Sequence, residues 1–461
     1  MRKTSRRGFS QGEVSTRVLS IRASADIWEA SWDRSALLKT DQFRAIAETY
    51  DIGHVSVGGH GYRPAMVETN MPSTVSELAG RRAQVGVVTV FFAHGLLFAS
   101  WTAHIPVVKT HIGMDDGMLG IALLGVPAGS LLAVAVSSVV IPRLGSRRLV
   151  QLALVGSCLA GPFVGLTGSV WALFGALLVW GLFQGLLDIA MTTQAVAVEK
   201  VRDRPIMNGM QASWSIGAFV GAATGTAGVA LGTSLTTQLI IIGVPALVVG
   251  LWLSTRMLSD VDPASESTAD PGQKVQRQLS PVMLILGGIA FATLLLEGAV
   301  ADWSSVYLRE SLDGGPVAAG LGYTSFALAM VIVRLFGNRL IARFPVHVLL
   351  PILTGVAAIV FASSLLIGTV PAAIVGFFIL GLGCGTVVPT VFSAAGRLHG
   401  THPGFAVTVV SGIGWIGIFC GPPLIGLLSH ATSLPAALWL IPILTALIAV
   451  GCRYVTALRR G

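Results

Sequence analysis

Charge is what this sequence has least of. Only 11% of its 461 residues are Asp, Glu, Lys or Arg, less than half of the roughly 25% found in an ordinary soluble domain. Hydrophobic residues make up 53% and the mean hydropathy is +0.77, so the apolar residues form long runs and not thin core stripes. A soluble globular enzyme is excluded. Cysteine is scarce as well: Cys158, Cys384, Cys420 and Cys452 are the only four. With no CxxC and no His/Cys ligand spacing, neither a zinc site nor a disulfide frame is expected, and no metal or cofactor. The four read as small apolar residues in helices. The sequence lacks a Walker A GxxxxGK[ST] to energise a pump and a filter-like re-entrant segment for a channel. It also lacks the short-spaced polar cluster near one interface that a polytopic membrane enzyme or sensor would carry.

What it has is apolar length. A hydrocarbon core about 30 Å thick is crossed by roughly 20 helical residues, and twelve segments reach that length. They run near 84–107, 118–141, 149–167, 170–192, 208–231 and 235–254, then 282–306, 317–341, 348–367, 371–394, 405–428 and 434–454. The expected fold is all-α: a polytopic membrane protein of twelve transmembrane helices in two pseudo-symmetric six-helix bundles, 81–256 and 281–461. Between them, 257–280 contains DVDPASESTADPGQKVQRQLS, too polar to bury a core of its own, and reads as a linker. Residues 1–80 hold no spanning run. Arg2, Lys3, Arg6 and Arg7 open them, but no apolar h-region follows, so they are not a secretory signal peptide. They read as a disordered cytoplasmic tail or a mis-assigned start, with Met66 or Met71 as the true one.

The formal net charge of +8 would suggest nucleic acid in a soluble chain; here its placement records topology, and no nucleic-acid partner is expected. One side of the membrane receives Arg81, Arg82, Arg143, Arg147, Arg148, Lys200, Arg202, Arg204, Arg256, Lys274, Arg277, Arg339, Arg343, Arg397, Arg453, Arg459 and Arg460. The other receives only Lys109 and Arg309. This positive-inside bias puts both termini and the linker in the cytoplasm, and it holds only if all twelve spans are real. Trp101, Trp171 and Trp303 at outer ends and Trp252 at an inner end read as an interfacial aromatic belt.

The halves echo one another at an offset of 200 residues. Pro142-Arg143-Leu144-Gly145 answers Ala342-Arg343-Phe344-Pro345. Gly181 and Gly185 answer Gly381 and Gly385, and Gly217 and Gly221 answer Gly417 and Gly421. GLLFASW at 95–101 and GAVADW at 298–303 share a Gly-to-Trp pattern. Parallel repeats of this size create a pseudo-two-fold axis along the membrane normal, with a substrate site between the halves. The glycine series Gly217, Gly221, Gly225 and Gly412, Gly417, Gly421 reads as helix packing.

On these features the chain resembles the major facilitator superfamily over residues 81–461. The superfamily's loop signature G-x-L-a-D-R-x-G-R-[RK] is kept at Arg143, Gly145, Arg147 and Arg148, while Ser138 replaces the first Gly and Pro142 the Asp. In the second copy Arg343 is kept and Ala342 replaces the Asp. The resemblance assigns cytoplasmic loop gating to Arg143, Gly145, Arg147, Arg148 and Arg343. Within the superfamily, GLLDIAMTTQAVAVE and LEGAVADWSSVYL look like the bacterial branch of MosC and YbjJ-type inner-membrane proteins, related to sugar–proton symporters of the fucose permease group. Asp188 falls where that group has an acidic residue on its fourth helix, and Thr192 replaces the Asn that follows there. Drug–proton antiporters of the superfamily carry G-x-x-x-G-P-x-x-G-G on the fifth helix. Here Ala222 stands at the Pro, and a similar run, GIFCGPPLIG, lies on the eleventh helix instead.

Ionisable groups at membrane depth call for a reason. Asp188 lies in the inner half of the fourth span and Glu297 near the middle of the seventh. The resemblance puts the first, fourth, seventh and tenth helices around the central cavity. One of the two carboxylates is the candidate carrier of a coupling proton; the bland alternative is a hydrogen-bonded or ion-paired structural carboxylate. Arg334 either pairs with a carboxylate or snorkels to the headgroups. His94, on the first span, is a candidate cavity group or a satisfied packing histidine. His104 and Asp302 lie toward outer ends, where interfacial water makes them cheap. Gln184 and Gln211 are candidates for binding a hydroxylated substrate. Trp214 and Trp415 either stack on it or pack between helices.

The expected function is proton-coupled secondary transport of a small polar solute, sugar- or polyol-like by the resemblance, across the bacterial inner membrane by alternating access. The expected partners are the solute, protons and the bilayer, with the chain acting as a monomer. The alternative within transport is efflux of an amphiphilic compound.

Overall fold

The computed structural model describes residues 73–204, 206–259, 279–398 and 403–454. The readings made for 1–72 and for most of the linker therefore lie outside the described residues.

Each of the twelve apolar segments is helical. The first span runs through Ser73–Ser100, a 3-10 turn at Thr102–His104 and a helix at Ile105–Ile112. It stops at Gly113, whose φ of 73° is a left-handed cap that glycine adopts freely. Asp115 opens the second span by accepting the N–H of Met118. That span begins as Asp116–Leu123 and continues in Gly125–Val164, which also holds the third. The two are separated at Gly145, where φ is 76° and ψ 158°, a region essentially reserved for glycine.

The fourth span is Val170–Arg202, the fifth Met207–Ala230 and the sixth Leu235–Ser254. The second half follows with Pro281–Val306, Pro316–Arg343 and Val346–Ile367. The tenth span is Val370–Cys384 continued by Val387–Gly396, the eleventh Pro403–Ala431, and the twelfth Leu434–Ala437 with Leu440–Tyr454. Serine caps recur: Ser169, Ser234, Ser280 and Ser433 each accept a first-turn N–H. Among the described residues, 10 stretches are long and apolar enough to cross a bilayer. The fifth span falls short because glycine, serine and threonine dilute its hydropathy, and the third because Arg147, Arg148 and Gln151 do so just beyond the break at Gly145. The protein is an all-α polytopic membrane protein.

The repeat seen in the sequence returns as atomic packing. A Cβ built on Gly217, Gly221 or Gly225 would lie 2.1–2.3 Å from the carbonyl oxygen of Phe92, Leu96 or Ser100. Three glycines one turn apart thus seat the fifth span directly on the backbone of the first. In the second half Gly417 meets the carbonyl of Phe291 in the same way, at 2.2 Å. Gly181 meets Val126, and 200 residues later Gly381 meets Phe326. Fifth-on-first and fourth-on-second packing is therefore duplicated as eleventh-on-seventh and tenth-on-eighth.

Two of the four belt tryptophans are not in a belt. Trp171 and Trp252 are exposed, but Trp101 and Trp303 are fully buried. Trp101 packs edge-on to Trp180, and Trp303 closes on Gly426 of the eleventh span. Span ends that meet another helix are core and not interface, which depth along a sequence does not reveal. His104 needs the same correction: it is buried, with Nε2 unpartnered among the described residues, and is not bathed in interfacial water.

Candidate substrate and coupling site

The helix ends bearing the arginine clusters form one end of the bundle, called here the basic end. At the opposite end the two halves are bonded together. Lys109, 7% exposed, reaches Asp116 at 2.5 Å and pairs with Glu310 just beyond the seventh span. Asp116 also accepts the hydroxyl of Ser429 on the eleventh span. Ser305 donates to the carbonyl of Thr102 at 2.8 Å, and the hydroxyls of Thr226 and Thr324 meet at 3.2 Å. A buried ammonium persists only with such partners. Sequence reasoning noted Lys109 as a rare cation on its side but missed Asp116, Glu310 and Ser429. The available signal was that Lys109 and Arg309 stand 200 residues apart, in register with the repeat and beside the few carboxylates of that side.

Toward the basic end Arg334 bonds across the halves, its Nη1 donating to Ser215 Oγ at 2.6 Å. Arg143, Arg148 and Arg343 are exposed and Arg147 is half-buried. None of the four has an ion pair or hydrogen bond among the described residues. Gly145 supplies the break that turns this loop.

Between these levels lies a polar group drawn from both halves. His94 Nδ1 accepts the indole N–H of Trp214 at 2.7 Å, and its Nε2 lies 3.2 Å from the backbone oxygen of Gln184. Accepting at one nitrogen and donating at the other fixes a single neutral tautomer. Phe98 lies against one part of the Trp214 indole, and the Arg334 guanidinium lies 6.0 Å from its centroid. Arg334 thus makes no ion pair among the described residues, and its Nη1 points across to the fifth span. Glu297 is half-buried, with no hydrogen bond or ion pair among the described residues. It feels the Arg334 charge electrostatically, and both act on Tyr323 of the eighth span, as does Asp302.

The remaining candidates scatter around this group. Gln184 is buried and its side chain turns to the third span, accepting from Ser157 at 2.8 Å. Gln211 is exposed, one turn from Ser215 on the same face. Trp415 is exposed, two turns from Pro422, whose carbonyl abuts Gly120 of the second span. Both therefore lie on faces that meet the other half further along. Asp188 is half-buried one turn beyond Gln184, and no electrostatic interaction ties it to Glu297 or Arg334. Chemically, a carboxylate beside an unpaired guanidinium can take up and release a proton, switching the pair between neutral and singly positive.

Two repeated helical bundles, bonded at one end and holding ionisable groups between them, define a secondary-transporter architecture. The chain belongs to the Major Facilitator Superfamily, whose family model matches residues 87–402 and again 285–460. It is 33% identical over 380 residues to an uncharacterized MFS-type transporter of Yersinia pestis, covering 82% of this chain and 97% of that one. It is 30% identical over 358 residues to the membrane protein MosC of Rhizobium meliloti, covering 76% and 84%. Among solved structures it resembles the nucleoside transporter NupG, with TM-score 0.63, 11% identity and coverage of 81% and 100%. A bacterial homolog of the human lysosomal transporter Spinster, in an inward-facing and unoccupied conformation, gives TM-score 0.56 at 13% identity, with 83% and 96% covered.

Proposed function

We propose that this transporter couples proton movement to the passage of a small polyhydroxylated solute, sugar- or polyol-like, across the bacterial inner membrane. Its basic end faces the cytoplasm. The observation that carries the reading is Glu297, a carboxylate at membrane depth with no partner among the described residues and the Arg334 charge acting on it. Asp188 is a second candidate for the proton, standing apart from this group. The halves 81–256 and 281–461 rock as bodies around the site. The bonding of Lys109, Asp116, Glu310 and Ser429 then marks a state closed to the outside and open to the cytoplasm, while Arg143, Arg147, Arg148 and Arg343 engage across the halves when the cycle reverses.

The test is uptake into proteoliposomes of radiolabelled sugars, polyols and nucleosides, the last because NupG shares the fold. An imposed inward proton gradient drives accumulation in the wild type. Glu297→Gln abolishes accumulation but retains solute exchange, because exchange needs no net proton movement. Uptake that ignores the gradient in the wild type overturns the coupling.

A further inference from the structure

Among the described residues, Arg334 has no carboxylate in ion-pairing contact, though the Glu297 charge acts on it. Nη1 donates to a neutral hydroxyl, Ser215 Oγ, and Nε is buried with no partner among the described residues. No carboxylate lies within ion-pairing distance of it there. A guanidinium carries five N–H donors in a rigid fork shaped for a carboxylate, and a buried donor without an acceptor marks an unmet requirement. The head group bridges the eighth span to the fifth. Around it stand Trp214, an apolar face for a ring or carbon chain, and Gln211, an exposed amide one turn away.

From this geometry we infer that Arg334 is the anchor for an acidic solute, a polyhydroxylated monocarboxylate such as a sugar acid, whose carboxylate takes the free edge of the guanidinium. This rests on the proton-coupling reading above and names the substrate class for the same site. Protonated Glu297 leaves the Arg334 charge uncompensated, so the site attracts an anion; ionised Glu297 repels it. Proton and solute anion therefore bind together and leave together, and the loaded site carries no more net charge than the empty one. The other titratable groups facing the pair are Tyr323 and Cys384, with Asp302 acting on Tyr323 and the neutral His94 behind Trp214.

Binding is measured on the full-length protein in detergent by thermal shift and by Trp fluorescence, using acid and neutral members of matched pairs: gluconate with sorbitol, glucuronate with glucose. The acids bind about tenfold or more tightly than their neutral partners, as expected for a charge-assisted bidentate contact. Wild-type affinity for the acids falls as pH rises. Glu297→Gln, fixed in the neutral form, binds them at least as well and without that pH dependence. Arg334→Gln loses the preference for the acid, and Arg334→Lys recovers part of it. Equal binding of acid and neutral members, no response to any acid, or acid binding that survives Arg334→Gln in a monodisperse protein overturns the inference. The two readings fail separately. Arg334-dependent acid binding with transport indifferent to the gradient removes the coupling alone. Gradient-driven uptake of neutral sugars that is untouched by Arg334→Gln removes the anchor alone.

Discussion

His94 and Trp214 were each legible in the sequence as polar or aromatic residues inside spans, but their bond was not. They are 120 positions apart, and which of two ring nitrogens meets an indole depends on how the first and fifth helices cross. The bond has a measurable consequence. Trp214→Phe keeps the ring and removes the donor to a buried acceptor, so it lowers stability by about 1–2 kcal/mol, read as a drop in the unfolding temperature in detergent. The Gln184 carbonyl still takes the Nε2 proton, so the tautomer is kept, and the 15N resonance of Nδ1 shifts as it loses the indole N–H. An unchanged Nδ1 resonance shows that the indole does not bond to the ring. Gly145 was legible from the loop signature, yet only the backbone explains why glycine stands there. At φ 76° and ψ 158° a Cβ is strained, and Gly145→Ala loses about 1–3 kcal/mol, measured by thermal unfolding; an unchanged unfolding temperature argues against this backbone.

At the scale of elements, the sequence legibly carried the span count, because apolar run length and alternating loop charge are one-dimensional signals. The glycine series was legible as packing, and its partner carbonyls were not, since choosing the first helix as the seat of the fifth is a three-dimensional fact. The belt tryptophans went astray for the same reason: Trp101 and Trp303 lie at the depth of an interface but against another helix. Glycine position decides tolerance here. A Cβ at Gly221 would lie 2.3 Å from the carbonyl of Leu96, whereas one at Gly288 meets nothing within 4 Å. Gly221→Ala forces the first and fifth helices apart, with a loss of about 1–3 kcal/mol and a lower yield of monodisperse protein. Gly288→Ala leaves the fold intact and raises stability by up to about 1 kcal/mol through helix propensity. Similar melting curves for the two variants would contradict the close fifth-on-first contact.

Across the whole molecule, the balance between the two halves turns on one buried lysine. The positive-inside count placed Lys109 on its side of the membrane, but a count treats charges as separate and says nothing of Lys109 reaching carboxylates from both halves. Removing one member of such a cluster is worse than removing all of it, because the remaining charges are left confined without compensation. Lys109→Met leaves Asp116 and Glu310 facing each other across the seam and weakens closure of that end. Side-chain exposure is 18% for Asp116 and 37% for Glu310, so water softens the repulsion, and the shift toward the opposite open state is about 1–3 kcal/mol. Spin labels placed on the two halves at that end would register it as a longer distance population. Lys109→Met combined with Asp116→Asn and Glu310→Gln restores the short distances, since nothing charged remains to separate the halves. If the single substitution leaves the distances unchanged, the packing of the eleventh span on the second, through Gly120 and Gly426, holds that end shut and the ion cluster is incidental. If the triple variant stays open, the cluster attracts the halves more strongly than its charges repel when unpaired. Those outcomes separate a latch made of charge from one made of shape.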